Sequence, residues 1–78
     1  MTLKDRIKKA NQIYDDQLRN KLERHHQGKI VAIEIDSGDY FLGRNEIEAY
    51  DEGTKKYPEK TFVYKRVGYK ATHFVGSL

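Results

Sequence analysis

The sequence predicts one small α+β domain whose elements follow in the order helix, strand, strand, helix and then one or two further strands. Residues 3–22 carry apolar side chains at helical spacing, residues 29–42 alternate around a turn as a β-hairpin does, and a second capped helix precedes two β-rich runs. A chain of 78 residues has room for one domain. We therefore expect a single domain over 1–78, with an N-terminal helix in 1–27 and a sheet-plus-helix core in 28–78.

The first helix begins at a capping box formed by Thr2 and Asp5. His25 and His26 suit the negative C-terminal end of this helix, and Gly28 is a natural stop. The apolar side chains between these ends recur three or four residues apart, which is helical spacing. They form a narrow stripe: Leu3, Ile7, Ala10, Tyr14, Leu18 and Leu22.

This stripe is longer than a small sheet can cover. About twenty helical residues span roughly 30 Å, whereas a strand of five or six residues spans roughly 17–20 Å. We expect the helix to dock on its own sheet through Leu18 and Leu22. The remainder of the stripe would then form an interaction surface for a second copy or another protein, through Leu3, Ile7 and Tyr14.

The hairpin is predicted from apolar alternation on both sides of a turn. Lys29–Ile35 reads as a strand, Asp36–Asp39 has turn chemistry, and Tyr40–Leu42 resumes the apolar run. If Ile35 lies opposite Tyr40, five side chains share one face: Val31, Ile33, Ile35, Tyr40 and Leu42.

A second helix is predicted between the hairpin and the C-terminal runs. Asn45 and Glu48 have capping-box spacing, Gly53 weakens the middle, and Tyr57–Pro58 ends the helix. Residues 61–67 and 69–75 are β-rich, with Gly68–Tyr69 either a two-residue turn or a bulge in one bent strand. The predicted core is Val31, Ile33, Ile35, Tyr40, Leu42, Ile47, Tyr50, Phe62 and Tyr64. We expect a small antiparallel sheet with one face covered by helix.

Composition excludes several classes of site. With no cysteine, the chain has no disulfide framework, thiolate zinc site or cysteine nucleophile. No apolar run resembles a signal peptide or a membrane span, so a soluble cytoplasmic protein without membrane contact is expected. The net charge of +3 is uneven: 1–29 hold eight basic and four acidic residues, 30–53 one and seven, and 54–78 six and one.

Asp36-Ser37-Gly38 follows an apolar strand, as the D-[ST]-G motif of aspartic proteases does. That chemistry needs two carboxylates sharing one proton in a dry cleft, which small forms build from two chains. Asp39 stands where the protease loop usually has a small residue, so a hairpin turn is the favoured interpretation. A dimeric aspartic peptidase around Asp36 is kept as an alternative.

Neither a metal nor a cofactor is predicted. Asp36 and Asp39 offer fewer oxygen ligands than a calcium loop needs. His25 and His26 are adjacent, whereas helical metal pairs are spaced i,i+4, and His73 stands alone. Helix-end electrostatics therefore accounts best for the two adjacent histidines.

A second functional alternative is nucleic-acid binding by the basic, aromatic C-terminal part. Cations and aromatic rings there could contact phosphates and stack on bases. The residues are Lys65, Arg66, Tyr69 and Lys70. The competing interpretation is that Phe62 and Tyr64 belong to the core while the cations keep a small domain in solution.

Several short strings resemble one family. They are Gly28–Glu34, Ser37–Gly43, Glu48–Tyr50, Tyr57–Pro58, Phe62 and Arg66–Thr72, and they lie within the segment Gly28–Gly76, which covers about two-thirds of the chain. The pattern is similar to that of a small family of uncharacterised bacterial and archaeal proteins, from which Gly53 departs. The resemblance implies no activity or catalytic residue, and it favours a small accessory protein over a stand-alone enzyme. The expected function is a non-enzymatic protein–protein interaction module, such as a companion or antitoxin-like partner.

We predict that Asn45→Ala lowers the free energy of unfolding by about 1 kcal/mol, because the helix loses its N-cap acceptor. Urea unfolding of the variant and the parent measures this difference. Backbone chemical shifts that place residues 45–57 in a strand or loop would contradict the underlying assignment.

Overall fold

Four antiparallel strands form one sheet in the order β2-β1-β3-β4, and helices cover both of its faces. The computed structural model describes residues 2–68 and the backbone of strand 73–76. The elements are α1 (Leu3–Ile13), a π-helical segment (Tyr14–Leu18), α2 (Arg19–His25), β1 (Ile30–Ile33), β2 (Tyr40–Gly43), α3 (Glu46–Lys56), β3 (Phe62–Arg66) and β4 (His73–Gly76). The predicted order of elements is confirmed. No helix within the described residues is both long and apolar enough to traverse a bilayer.

The hairpin register differs from the prediction by two residues. Ile33, and not Ile35, lies opposite Tyr40, and Val31 lies opposite Leu42. Side chains alternate between faces with a period of two, so a two-residue shift leaves every side chain on its predicted face. Tyr40 and Leu42 accordingly pack against the same core cluster as Val31 and Ile33.

The C-terminal β-rich runs are two separate strands. Lys65 of β3 pairs with His73 of β4 in antiparallel register, so the alternative of one bent strand with a bulge is wrong. Of the residues proposed for the turn, Gly68 has a positive φ of 87°, while Tyr69 lies outside the described residues.

The expectation of one covered face is wrong, because β1 is apolar on both sides. All four of its residues are buried. Val31 and Ile33 pack beneath the N-terminal helix, by which we mean the continuous helical run Leu3–His25, and Ile30 and Ala32 pack beneath α3. A strand buried on both faces reads as a continuous apolar run, which is the pattern of β1.

The π-helical segment keeps the N-terminal helix in register with the sheet. Four-residue steps overshoot the 3.6 residues of an α-helical turn, so a stripe built on such steps rotates away from a flat surface. The i→i+5 hydrogen bonding of the segment accommodates more residues per turn. Tyr14, Leu18 and Leu22 are all fully buried as a result, and Ile13 joins them although it lies off the predicted stripe.

The prediction that Ile47 belongs to the core is wrong, since 63% of its surface is exposed. α3 instead turns its small residues Ala49 and Gly53 toward the sheet, and Tyr50 is half-buried beside them. A helix that lies close to a sheet contacts it through small side chains, and Ile47, two positions before Ala49, faces outward.

Both predicted N-caps are confirmed by their hydrogen bonds, but the predicted capping box is complete only at the first helix. The Thr2 hydroxyl accepts from the Asp5 amide and the Asp5 carboxylate accepts from the Thr2 amide. The Asn45 side chain accepts from the Glu48 amide at 2.9 Å, whereas the Glu48 carboxylate reaches back to the amide of Arg44 and not to that of Asn45.

Gly53 is required for packing and does not simply weaken α3. A Cβ atom at this position would lie 2.7 Å from Cζ of the Phe62 ring, which is itself fully buried. We therefore predict that Gly53→Ala destabilises the fold. An alanine in an unobstructed helix interior would stabilise it by roughly 1 kcal/mol relative to glycine.

The matched control for this prediction is Glu52→Ala, an exposed position on the same helix. Thermal unfolding of the two variants should show a lower midpoint for Gly53→Ala and a nearly unchanged one for Glu52→Ala. A higher midpoint for Gly53→Ala would contradict the packing described here.

Candidate functional site

A partly buried polar cluster joins the N-terminal helix to β3. The Tyr14 hydroxyl donates to the Glu23 carboxylate at 2.8 Å and accepts from the Gly68 amide at 3.3 Å. The Lys65 ammonium lies 4.9 Å from the centroid of the Tyr14 ring. Burial and the Glu23 carboxylate raise the pKa of Tyr14 to about 12, and burial lowers the pKa of Lys65. These groups hold the helix on the sheet.

The interaction surface expected on the N-terminal helix is only partly accessible. Leu3 is 57% exposed, but Ile7 is half-buried against the core and Tyr14 is completely buried. Of the three residues, Leu3 alone offers most of its surface to a partner.

The residues expected to bind nucleic acid that the structure describes are likewise not fully exposed. Lys65 is 6% exposed beneath the N-terminal helix, so its ammonium is not available to a phosphate. Arg66 is half-buried and donates to the carbonyl oxygen of Gly28 at 3.1 Å. Tyr69 and Lys70 lie outside the described residues. Of the four residues, the two that the structure describes, Lys65 and Arg66, therefore do not offer fully exposed cations to a nucleic acid.

The loop that contains Asp36 is held by hydrogen bonds to Glu34, a residue that is only 1% exposed. The Glu34 carboxylate accepts from the amides of Asp36 and Ser37 and from the Ser37 hydroxyl. Asp36 itself is exposed and pairs with Lys60 at 3.0 Å, and this hydrogen bond lowers the pKa of its carboxyl group. Such an ionised surface carboxylate does not have the environment of a proton-sharing dyad.

The two adjacent histidines lie at the C-terminal end of the N-terminal helix, as predicted. His25 is the last residue of α2 and His26 is its C-cap. No group of three or more potential ligands among His, Cys, Asp and Glu comes together within the described part of the chain.

The hydrogen bonds of β1 show which way each strand faces. The carbonyl of Lys29 accepts from Val67 at 2.8 Å, on the β3 side, and the Glu34 amide donates to the carbonyl of Asp39 at 2.9 Å, on the β2 side. Alternate residues of a strand bond to opposite neighbours. Even-numbered residues of β1 therefore bond to β2, and odd-numbered residues bond to β3.

This alternation leaves one side of β2 open. Phe41 lies opposite Ala32 and bonds to it, so the amide and carbonyl groups of Tyr40 and Leu42 point away from the sheet. β2 is the outermost strand on this side of the sheet as described. Natural edge strands are often protected by charged side chains, proline or bulges, and Tyr40–Gly43 contains no charged residue and no proline.

Both ends of β2 are fixed to α3. At its start, the Asp39 carboxylate accepts from the Tyr57 hydroxyl and pairs with Lys56 at 2.9 Å. These hydrogen bonds lower the pKa of the Asp39 carboxyl group. At the other end, the Arg44 guanidinium pairs with Glu48 at 2.8 Å. The edge is therefore a short strand held at both ends.

A groove runs beside this edge, between β2 and the outward flank of α3. It is open to solvent and has a volume of about 590 Å³. A Cβ atom at Gly43 would lie 2.4 Å from the amide nitrogen of Ala49, so the glycine allows α3 to rest directly on β2. The groove is lined by Leu42, Glu48, Asp51, Glu52 and Lys55.

Comparison with known proteins adds no relative: no family model, curated protein or solved structure matches this chain. The similarity to a small bacterial and archaeal family stays an expectation.

Sequence reasoning missed the outer edge of β2 because it assigned Tyr40 and Leu42 only to the core. Their side chains do pack against the core, but their backbone groups face outward. The available signal was the unbroken apolar run Ile30–Ile33, which marks β1 as an interior strand. An interior first strand of a hairpin leaves the second strand as a candidate edge.

We predict that Tyr14→Phe lowers the free energy of unfolding at neutral pH by about 1 kcal/mol, because the Glu23 carboxylate and the Gly68 amide lose a hydrogen-bond partner. Tyr64→Phe is the matched control, since the Tyr64 hydroxyl is buried without a hydrogen-bond partner among the described residues. Its removal should be neutral or stabilising. Urea unfolding measures both, and equal losses would contradict the role given to Tyr14.

The raised pKa of Tyr14 also predicts how the stability of the fold changes at alkaline pH. A tyrosine whose folded pKa is raised from 10 to about 12 keeps a proton that the unfolded chain releases. Its contribution to stability is complete below pH 10 and is lost as pH rises toward 12. Stability of the parent should therefore fall over this range, and less steeply in Tyr14→Phe.

Proposed function

We propose that this chain is a non-enzymatic protein–protein interaction module, a small companion of another protein, that binds by strand addition at β2. The observation that carries the proposal is the row of outward backbone groups at Tyr40 and Leu42 on a strand held at both ends. In strand addition, a partner segment pairs with these groups as a further strand of the sheet.

The fixed ends of β2 favour such binding. An edge that is already held in strand geometry loses little conformational freedom when a partner pairs with it, and preorganisation of this kind improves affinity. The exposed Leu3 is a competing surface, because it lies on a different element and would support docking by the N-terminal helix.

A partner-capture experiment separates the two surfaces. The parent, Leu42→Pro and Leu3→Lys are used to capture proteins from lysate of the native host, and recoveries are compared. Proline at position 42 removes an outward amide without removing a hydrogen bond to β1. We expect Leu42→Pro to lose a partner that Leu3→Lys retains.

Loss in Leu3→Lys with retention in Leu42→Pro would assign the interaction to the helix and reject strand addition. Retention in both variants would reject both surfaces. Leu42 also packs against the core, so each variant is first checked for cooperative thermal unfolding. Tyr40→Pro, which removes the other outward amide, replaces Leu42→Pro if the latter does not fold.

A further inference from the structure

The charges that line the groove beside β2 favour particular side chains in a strand that pairs with β2. Three carboxylates, from Glu48, Asp51 and Glu52, and a single ammonium, from Lys55, line it. Glu48 is paired with Arg44 and Glu52 with Lys55, so the three carboxylates face only two paired cations and the groove keeps a net negative charge. A strand paired with β2 would place every second side chain on the α3 side of the sheet, beside these groups.

The two sides of the edge differ in charge. On the face of the sheet covered by the N-terminal helix, the Lys21 ammonium lies 5.3 Å from the centroid of the Tyr40 ring. On the α3 face the groove is acidic. The carboxylates that line the groove therefore lie on one face of the added strand and the Lys21 ammonium on the other, so its alternate positions are not equivalent.

We infer that the segment bound by β2 is an extended basic peptide, with lysine or arginine at the alternate positions that face α3. This inference rests on the strand addition proposed above and names the chemistry of its partner. Complementary charge of this kind selects among partners and fixes the register of the added strand.

A second copy of this chain fits the edge less well. α3 runs antiparallel to β2, because Lys56 meets Asp39 at one end and Ala49 meets Gly43 at the other. The middle of α3, at 51–52, is therefore level with Phe41. Two copies paired through β2 about a two-fold axis at Phe41 would bring these acidic positions of both helices opposite each other, and like charges in that arrangement repel.

Three synthetic hexapeptides test the inference, each alternating valine with lysine, glutamate or threonine. They are titrated into the full-length ¹⁵N-labelled chain at about 0.1 M salt, where charges within about 10 Å still interact. The lysine peptide should shift the amide signals of Tyr40 and Leu42 and bind roughly three- to tenfold more tightly than the threonine peptide, with the glutamate peptide weakest.

Reversing the charge of a residue that lines the groove provides a second test of the inference. Asp51→Lys should abolish the preference for the lysine peptide, whereas Asp16→Lys should preserve it. The control makes the same change in net charge at an exposed position of the π-helical segment that does not line the groove.

The outcomes separate the inference from the function on which it rests. If the glutamate or threonine peptide shifts Tyr40 and Leu42 and binds as tightly as the lysine peptide, or if Asp51→Lys keeps the preference, strand addition stands and the basic partner is rejected. If none of the peptides shifts these amides, both are rejected. If sedimentation shows a dimer that Leu42→Pro dissociates, the occupant is a second copy and the peptide inference is overturned.

Discussion

The burial of β1 on both faces is the constraint on which the rest of the structure depends. Its four residues are at most 1% exposed, so neither face of the sheet can be left to solvent. The helix that precedes the hairpin covers one face and the helix that follows it covers the other. An interior β1 also requires a strand on each side, and β2 and β3 supply them. The apolar character of β1 therefore accounts for β2 and β3 beside it, and because β4 extends the sheet only on the β3 side, β2 lies at the margin of the sheet as described.

The two helices that cover the sheet pack against it in different ways. α3 approaches the sheet through Ala49 and Gly53, and the ring of Phe62 fills the space where a side chain at Gly53 would lie. The N-terminal helix instead fills its layer with large side chains, and the polar groups buried there are arranged around Tyr14. The π-helical segment is part of that solution, because it allows residues four apart to face the sheet over several turns.

The features that could be predicted from the sequence are those that depend on interactions between residues only a few positions apart. The caps at Thr2 and Asn45 and the loop after β1 depend on local hydrogen bonds, so residue type and spacing were enough. The exposure of Ile47 was not predictable in this way, because it depends on how closely α3 packs on β2. The face of each hairpin residue was predicted although the register was not, since a two-residue shift preserves the alternation.

The open edge of β2 is a consequence of the core and not a separate feature. Tyr40 and Leu42 carry the outward backbone groups, and their side chains pack against the cluster beneath the N-terminal helix. A charged residue or proline at either position would protect the edge but would remove apolar contacts from that cluster. The chain therefore cannot protect this edge with its own residues at these two positions without weakening its core, and strand pairing by another segment satisfies both requirements at once.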